Sequence, residues 1–469
     1  MNNVTKIFGA PGCGKTYFLL NLLEDLLKIY KPYEIAFVSF TRKGAYEGRR
    51  RAIERFGYTA EDFPFFKTLH SIGFTDAELS RTDIMNKEAY RNFSKAVGMR
   101  FTGYYTEEFN GADDEYLFYY FLKKSNPKMA EEYVDIDLKK YEFVERNYIR
   151  FKNEEGLLDY TDMLTFFLER DQPLPVKVAI IDEAQDLTTL QWKMCEIAFR
   201  DCEKVFIAGD DDQAIYQWNG ADVDYFLDLP GEIVILDQSY RMRKNIMDFS
   251  NKIAKLITKR VDKKVRPIDE GGQIFTHNSI SEIPFRKNET YYLLSRNNYY
   301  LERYRELFSK HGLVYLDKGE SSVSNRIVNA ISKYEQFRKT RKWEDPLDKI
   351  LVDSYSRKDV ANTKPWYQKF NLPLDVSNYY RSLIENRADI TNEKLMVNTI
   401  HGVKGGEADN VVLMMDFTRS VKENYLKATD SELRCLYVAC TRAKKRLHLV
   451  FSSSPNGYDN FIDINRMLV

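Results

Sequence analysis

The hydrophobic positions of the chain fall into two alternating textures. Short apolar runs bounded by glycine or acidic residues read as buried strands, at Val4–Phe8, Ile35–Phe40, Val176–Ile181 and Lys204–Ala208. Longer stretches with apolar residues every three or four positions read as amphipathic helices, from Lys15 to about Ile29 and from Lys43 to Phe56. Strands and helices that alternate across glycine turns predict a parallel, doubly wound α/β sheet. Between about Ser80 and Gln172 the strand pattern vanishes, and charged helical periodicity rich in Tyr and Phe predicts a helical insertion. A second α/β region runs from roughly Gly231 to Glu320, with strands at Ile233–Leu236 and Tyr291–Ser295. Residues 321–391 are again helical and charged, with breaks at Asp345-Pro346 and Lys364-Pro365, and strand character returns at Leu395–Ile400 and Asn410–Met415.

Composition narrows this picture. A chain of 469 residues exceeds one ordinary domain. With 43% hydrophobic and 30% charged residues it reads as a soluble globular protein. The 32 Tyr and 30 Phe suit large cores, the commoner use, or base-stacking platforms. Formal charge is zero, so no global basic field announces a nucleic-acid partner. Basic character is local, at Arg42, Lys43, Arg49, Arg50, Arg51 and Arg55 and again from Lys252 to Arg266. Solvated helix faces are the ordinary reading of such runs. Cysteines 13, 195, 202, 435 and 440 form no metal-type spacing, which predicts reduced thiols in a cytoplasmic protein. The start lacks a signal-peptide core and no run approaches 18 apolar residues, so no membrane partner is expected.

The clearest chemistry lies at the start. Gly9-Ala10-Pro11-Gly12-Cys13-Gly14-Lys15-Thr16 matches the phosphate loop GxxxxGK[ST], placed between a strand and a helix as that motif requires. Its glycines let backbone N–H groups face phosphate oxygens beside the positive end of a helix. Lys15 would reach the β- and γ-phosphates and Thr16 would ligate Mg²⁺; Cys13 contributes only its backbone. A second acidic site must complete the reaction. The run Val178-Ala179-Ile180-Ile181 ends in Asp182-Glu183, where Asp182 would hold Mg²⁺ and Glu183 would orient and deprotonate the attacking water. Either carboxylate alone could belong to an ordinary strand-end loop; with the phosphate loop upstream, an NTPase is the reading.

Further motifs point beyond hydrolysis. Asp182-Glu183-Ala184-Gln185-Asp186 resembles the DExQD box of UvrD/Rep/PcrA-like superfamily 1 helicases, and Gly209-Asp210-Asp211-Asp212-Gln213-Ala214-Ile215-Tyr216-Gln217-Trp218-Asn219-Gly220-Ala221 is similar to that family's GDxDQSIYxWRGA. Matches continue in family order at Phe37–Lys43, Thr68-Leu69-His70, Gln238-Ser239-Tyr240-Arg241, Thr399–Glu407 and Leu436–Ala443. The resemblance implies two RecA-like P-loop NTPase domains, each a parallel doubly wound sheet with a helical insertion, and ATP bound in the cleft between them. It implies a first domain at 1–80 and 175–243 with an insertion at 81–174. The second domain would occupy 244–320 and 392–469, with a small insertion at 321–391. Gln213 resembles the γ-phosphate sensor, and Arg241 and Arg442 the arginines supplied across the cleft, which stabilise transition-state charge when domains close. Tyr240 would stack on adenine and Glu407 would bond a ribose hydroxyl. For DNA, Phe40, Tyr216 and Trp218 are the candidates for base stacking, each contact worth ~1–3 kcal/mol, although core packing is the usual fate of aromatics. Thr68, His70, the basic helix after Phe40, and His401 would hold the backbone.

The implied partner is single-stranded DNA and its junctions with duplex, together with replication or repair proteins, bound by a monomer moving 3′ to 5′ by resemblance alone. Departures from the pattern are specific. Only eight residues precede Gly9, which leaves no room for the family's adenine-reading glutamine segment and opens the choice between ATP and other nucleotides. Asn219 replaces the usual arginine after the tryptophan. Gly406 and Ala408 stand where larger apolar residues are typical, predicting a looser loop. The chain stops soon after Arg442, with no room for a nuclease domain. The acids of Asp159-Tyr160-Thr161-Asp162 are assigned to helix capping rather than metal binding. Two other functions stay open beside unwinding: a translocase that strips proteins from single strands, and a nucleotide-dependent switch that binds protein alone.

Overall fold

The chain is described by a computed structural model covering residues 1, 3–40, 42–103, 113–133, 136–340, 364–427 and 429–468. It divides into two compact units, Met1–Arg241 with Ile257–Ile268, and Met242–Leu256 with Asp269–Val469. Both carry a parallel-dominated α/β sheet, as two RecA-like domains do.

The first unit is built on six strands: β1 (Val4–Gly9), β2 (Ile35–Ser39), β3 (Phe66–Lys67), β4 (Val178–Asp182), β5 (Lys204–Gly209) and β6 (Glu232–Leu236). Their order is β3-β2-β4-β5-β1-β6, with every pairing parallel. β2 and β4 are buried along their whole length, which is why they read as unbroken apolar runs rather than alternating ones. The segment 233–236, which by pattern opens the second α/β region, pairs with β1 and forms an edge of this first sheet. It is the least buried strand of the six, so its apolar content gave no sign of which sheet it joins. The helix Lys15–Leu27 buries Leu19, Leu20, Leu23 and Leu26, one stripe at helical spacing.

The predicted helical insertion contains helices Lys87–Val97, Asp114–Ser125, Leu138–Glu155 and Tyr160–Arg170. Its core is aromatic, built around Tyr90, Phe93, Tyr116, Tyr120, Tyr141 and Tyr148, and this accounts for much of the local tyrosine excess. Asp159 caps the last of these helices by accepting from the backbone N–H groups of Thr161 (2.9 Å) and Asp162 (3.0 Å), while Asp162 accepts in return from the Asp159 N–H (2.9 Å). Both carboxylates also pair with the buried Lys152. Capping is what these acids do.

The second unit holds seven strands: β7 (Gln273–His277), β8 (Tyr291–Ser295), β9 (Leu316–Asp317), β10 (Glu320–Ser321), β11 (Leu395–Thr399), β12 (Ala408–Met414) and β13 (Ala443–Val450). The order is β10-β9-β11-β8-β12-β13-β7, parallel except for the β9–β10 hairpin. Helices Asn325–Thr340 and Leu374–Glu385 lie in the predicted second insertion, and they bury Ile331, Tyr334, Tyr380 and Leu383 in the same core as Leu293, Val397 and Val412. Residues 341–363, with the Asp345-Pro346 break, lie outside the described residues. Among the described residues no helix is long and apolar enough to cross a membrane, and all five cysteines are buried thiols outside any disulfide.

Candidate functional site

Parallel pairing brings the carboxyl ends of β1, β2, β4 and β5 to one edge of the first sheet, the edge where open α/β sheets bind ligands. Gly9 ends β1, Ser39 pairs with Asp182, and Gly209 pairs with Phe8. The phosphate loop turns from β1 into the helix Lys15–Leu27 through Gly12 (φ +75°) and Gly14 (φ +71°), left-handed positions that favour glycine. At Gly12 space is also limiting: a Cβ there would sit 2.4 Å from the Arg241 Cβ and 3.1 Å from the Ser239 Oγ. The segment Ser239–Arg241 clamps the loop from outside. Ser239 Oγ donates to the Pro11 carbonyl (3.0 Å), and the Tyr240 N–H donates to the Gly12 carbonyl (2.8 Å). The Lys15 ammonium donates to the Gly9 carbonyl at 2.9 Å. Tyr240 is 68% exposed, with its ring beside Gly14. Arg241 falls in the same unit as the loop, whereas the resemblance implies an arginine supplied across the cleft.

The acidic pair closes β4, with Asp182 its last residue and Glu183 the first after it. Asp182 is buried, and burial, then the neighbouring Glu183, push its carboxyl up to about 7. Glu183 sits at φ +54°, an uncommon backbone state for a residue with a side chain and one that clusters at functional sites. A hydrogen-bond chain links this acid to the next motif. Gln185 Nε2 donates to Glu183 Oε2 (2.6 Å), Gln185 Oε1 accepts from the Asp210 N–H (3.0 Å), and Asp210 Oδ2 accepts from Gln213 Nε2 (2.6 Å). Behind it, the Lys263 ammonium lies against Asp210 (3.0 Å), Asp211 and Asp212 (2.9 Å). Arg260 grips Asp212 with two bonds of 2.8 and 2.7 Å. The three carboxylates are close enough to hold a metal ion, but the ammonium fills their centre. Burial alone would depress the Lys263 pKa, and the three aspartates hold it above the ordinary lysine value.

The DNA candidates other than His401 lie on the same unit. Phe40 and Tyr216 stack on each other at 5.6 Å between ring centres, and Trp218 stacks on Phe118 of the insertion at 6.3 Å. A cavity of about 530 Å³ opens beside them, lined by Phe40, His70, Phe118, Phe121, Tyr160 and Asn219 among others. His70 meets Tyr160 edge-on; burial and then Arg42 lower its pKa to about 4, so at neutral pH it is a neutral hydrogen-bonding group. Thr68 caps the helix Leu69–Asp76, its hydroxyl accepting from the Ser71 N–H at 3.2 Å. The basic helix Arg42–Phe56 is partly neutralised at home, with Arg50 on Glu47 and Glu54, Arg51 on Glu47, and Arg55 on Glu24.

The second unit presents three candidates. Arg442 is 1% exposed; its guanidinium donates to the Val438 and Gly406 carbonyls (3.0 and 3.2 Å) and to the Thr441 hydroxyl (3.1 Å). Glu407 is 3.4 Å from Lys444. His401 Nε2 lies 3.7 Å from the Cys435 Sγ. The loop holding Gly406 is not loose. A Cβ on Gly406 would meet the Tyr292 hydroxyl at 2.5 Å, and the Ala408 N–H donates to the Arg442 carbonyl at 3.1 Å. Small residues stand here because the loop packs tightly.

The UvrD/REP helicase N-terminal domain model matches residues 1–234, and the UvrD-like helicase C-terminal domain model matches residues 295–454. The chain belongs to the UvrD/Rep helicase family. It is similar to DNA helicase II of Salmonella typhimurium, 26% identical over 288 residues, covering 56% of this chain and 40% of that protein. It is also similar to the ATP-dependent DNA helicase PcrA of Staphylococcus epidermidis, 23% identical over 396 residues, covering 76% and 52%. Among solved structures, the arterivirus nonstructural protein 10 helicase aligns with a TM-score of 0.36 at 10% identity, over 99% of this chain and 61% of that one. The chain spans about half the length, or less, of the curated relatives it matches.

For this UvrD/Rep family chain, motif reading missed three working parts. Ser239 holds the phosphate loop, Gln185 bridges Glu183 to Asp210, and Arg260 with Lys263 neutralises the aspartates. The first two were within the quoted motifs without a role. The third, Arg260 with Lys263, lies in the basic run Lys252–Arg266, whose sequence reads as a solvated face. The signal was complementary: three consecutive acids, Asp210-Asp211-Asp212, need partners if buried.

Proposed function

We propose that this chain is an ATP-driven motor on single-stranded DNA, unwinding duplex as it moves. The observation that carries the reading is one continuous arrangement: the phosphate loop, the Asp182–Glu183 pair, and the bonded path from Glu183 through Gln185 and Asp210 to Gln213. Gln213 opens the segment that bears Tyr216 and Trp218, so a change at the γ-phosphate has a short route to the aromatic rings.

The donor set fits a divalent cation. Asp182 is a buried carboxyl raised to about 7, whose ionisation a cation would favour. Its ladder partner Ser39 carries a buried hydroxyl with no hydrogen-bond partner among the described residues. Thr16 and Asp182 would hold Mg²⁺, which when bound would neutralise phosphate charge. Lys15 leaves the Gly9 carbonyl to meet the β- and γ-phosphates, and the amides of residues 9–16 surround them. Glu183, fixed by Gln185, takes a proton from the attacking water. Tyr240 offers an exposed ring to the base, and Glu407 a carboxylate to the ribose. Arg241 approaches from the loop's own unit. Arg442 belongs to the other, so drawing it from its carbonyl partners ties hydrolysis to domain movement. Phe40, Tyr216 and Trp218 stack on bases, His70 and His401 offer ring nitrogens to the backbone, and the cavity beside Phe40 gives an unstacked base room. Cytoplasmic residence and action as a monomer belong to the same reading.

ATPase rate with and without single-stranded DNA tests this directly. Strong stimulation is expected, and a nucleotide switch that binds only protein would show none. Duplexes with a 3′ or a 5′ tail then separate an unwinding enzyme from a translocase and fix the direction.

A further inference from the structure

The chain leaves the first unit after Arg241, returns for Ile257–Ile268, and leaves again at Asp269. This short return segment carries Arg260, Val261 and Lys263, all bound to the Asp210–Asp212 turn. The Val261 N–H donates to Asp211 (2.8 Å), Arg260 makes its paired bonds to Asp212, and the Lys263 side chain, 2% exposed, touches all three carboxylates. Asp210 is the junction. One of its oxygens meets Lys263 and the other accepts from Gln213, while its N–H donates to Gln185, which holds Glu183. Moving Lys263 therefore acts on one residue, whose side chain holds Gln213, the residue assigned to sense the γ-phosphate, and whose backbone N–H reaches Glu183 through Gln185.

We propose that Lys263 is a positioning residue for hydrolysis: it sets Asp210, and through Asp210 the geometry of Gln213 and Glu183, from a strap whose two ends continue directly into the second unit. A shift of either flanking segment reaches the catalytic hydrogen bonds along the strap, without passing through the nucleotide. The three-aspartate turn is then an anchor for that strap and no metal site. A charge at this place suits the task because buried charge-assisted bonds are short and directional, and three carboxylates without a cation would repel one another and lose the turn.

This inference rests on the proposed ATPase, and the test separates the two. Wild-type hydrolysis is measured first; its absence overturns the proposed function and this inference with it. With hydrolysis present, Lys263→Met is expected to lower kcat at least tenfold while the KM for ATP and the Kd for a fluorescent ADP analogue change by less than threefold. Lys263→Arg should recover much of the loss. Asp210→Asn, nearly isosteric, should lower kcat comparably, and adding Lys263→Met to it should cost little more. If Lys263→Met merely lowers the unfolding temperature and keeps its kcat, or if the two losses multiply independently, Lys263 is structural and the proposal fails. Should Lys263→Met not fold, the Lys263→Arg and Asp210→Asn pair decides: an unchanged kcat in both overturns it.

Discussion

Replacing Asp182 with Asn should separate what this carboxylate contributes to chemistry from what it costs the ligand-free fold. Its pKa stands at about 7 against an ordinary 3.8, chiefly through burial and then through Glu183. The native state thus keeps its proton to higher pH than the unfolded chain does. Between about pH 4 and 7 the unfolded chain binds fewer protons, so stability falls as pH rises through that window and levels off above it. At roughly 1.4 kcal/mol per pKa unit, the ionised group disfavours the fold by up to about 4 kcal/mol. Asn keeps the oxygen that accepts from the Glu183 N–H at 2.9 Å and carries no charge. The unfolding temperature of the first unit, followed by scanning fluorimetry across pH, should therefore be equal in the two proteins near pH 4. At pH 8 the variant should lead by up to about 16 °C, given roughly 2–4 °C per kcal/mol for units of this size. Mg²⁺ should narrow that lead by stabilising the wild type alone, and the variant should not hydrolyse ATP. A variant less stable than the wild type at pH 8, or a gap that ignores pH, would refute the account of this buried carboxyl.

Three other substitutions probe separate parts. Gly12→Ala places a Cβ against Arg241 at a left-handed position, and should abolish nucleotide binding by equilibrium titration; retained affinity would mean that the loop can reshape. Arg442→Ala should lower kcat by about 10³ or more while leaving the affinity for ADP largely intact, and it should also lower the unfolding temperature of the second unit because the Val438 and Gly406 carbonyls each lose a donor. Trp218→Ala removes the ring that packs on Phe118, so it should destabilise the protein by about 3 kcal/mol and weaken single-strand binding, measured by anisotropy, with basal ATPase retained. Across salt concentrations that binding should weaken with a log–log slope of about −0.7 per phosphate contacted.

How much of this was legible in the sequence depended on whether a function is local. The phosphate loop and Asp182-Glu183 could be read because a buried parallel strand is one apolar run and its chemistry sits where the run stops. Capping by Asp159 was readable for the same reason, since its partners lie within three residues. The hydrophobic pattern alone puts the strand at 233–236 in the second α/β region, whereas the family resemblance puts it in the first domain, because parallel pairing to β1 is a contact across the chain that an exposed edge strand does not announce. Lys263 was hidden more deeply. A lysine in a basic run resembles a solvated face, and only the fold shows that three aspartates some fifty positions earlier enclose it. The tightness around Gly406 was equally invisible, because it is set by Tyr292 on a neighbouring strand.

The threading of the chain bears on how the protein can be taken apart. A cut after residue 241, close to where the N-terminal family match ends at 234, looks like a natural seam. It would strand Asp210, Asp211 and Asp212 without Arg260 and Lys263, a cluster of negative charge in an interior that water does not reach. The lobe that carries the phosphate-loop motif is thus finished by a piece of polypeptide encoded downstream of part of its neighbour. Neither lobe can be exchanged by a single crossover, and swapping one between relatives requires carrying that small loop of foreign sequence along with it.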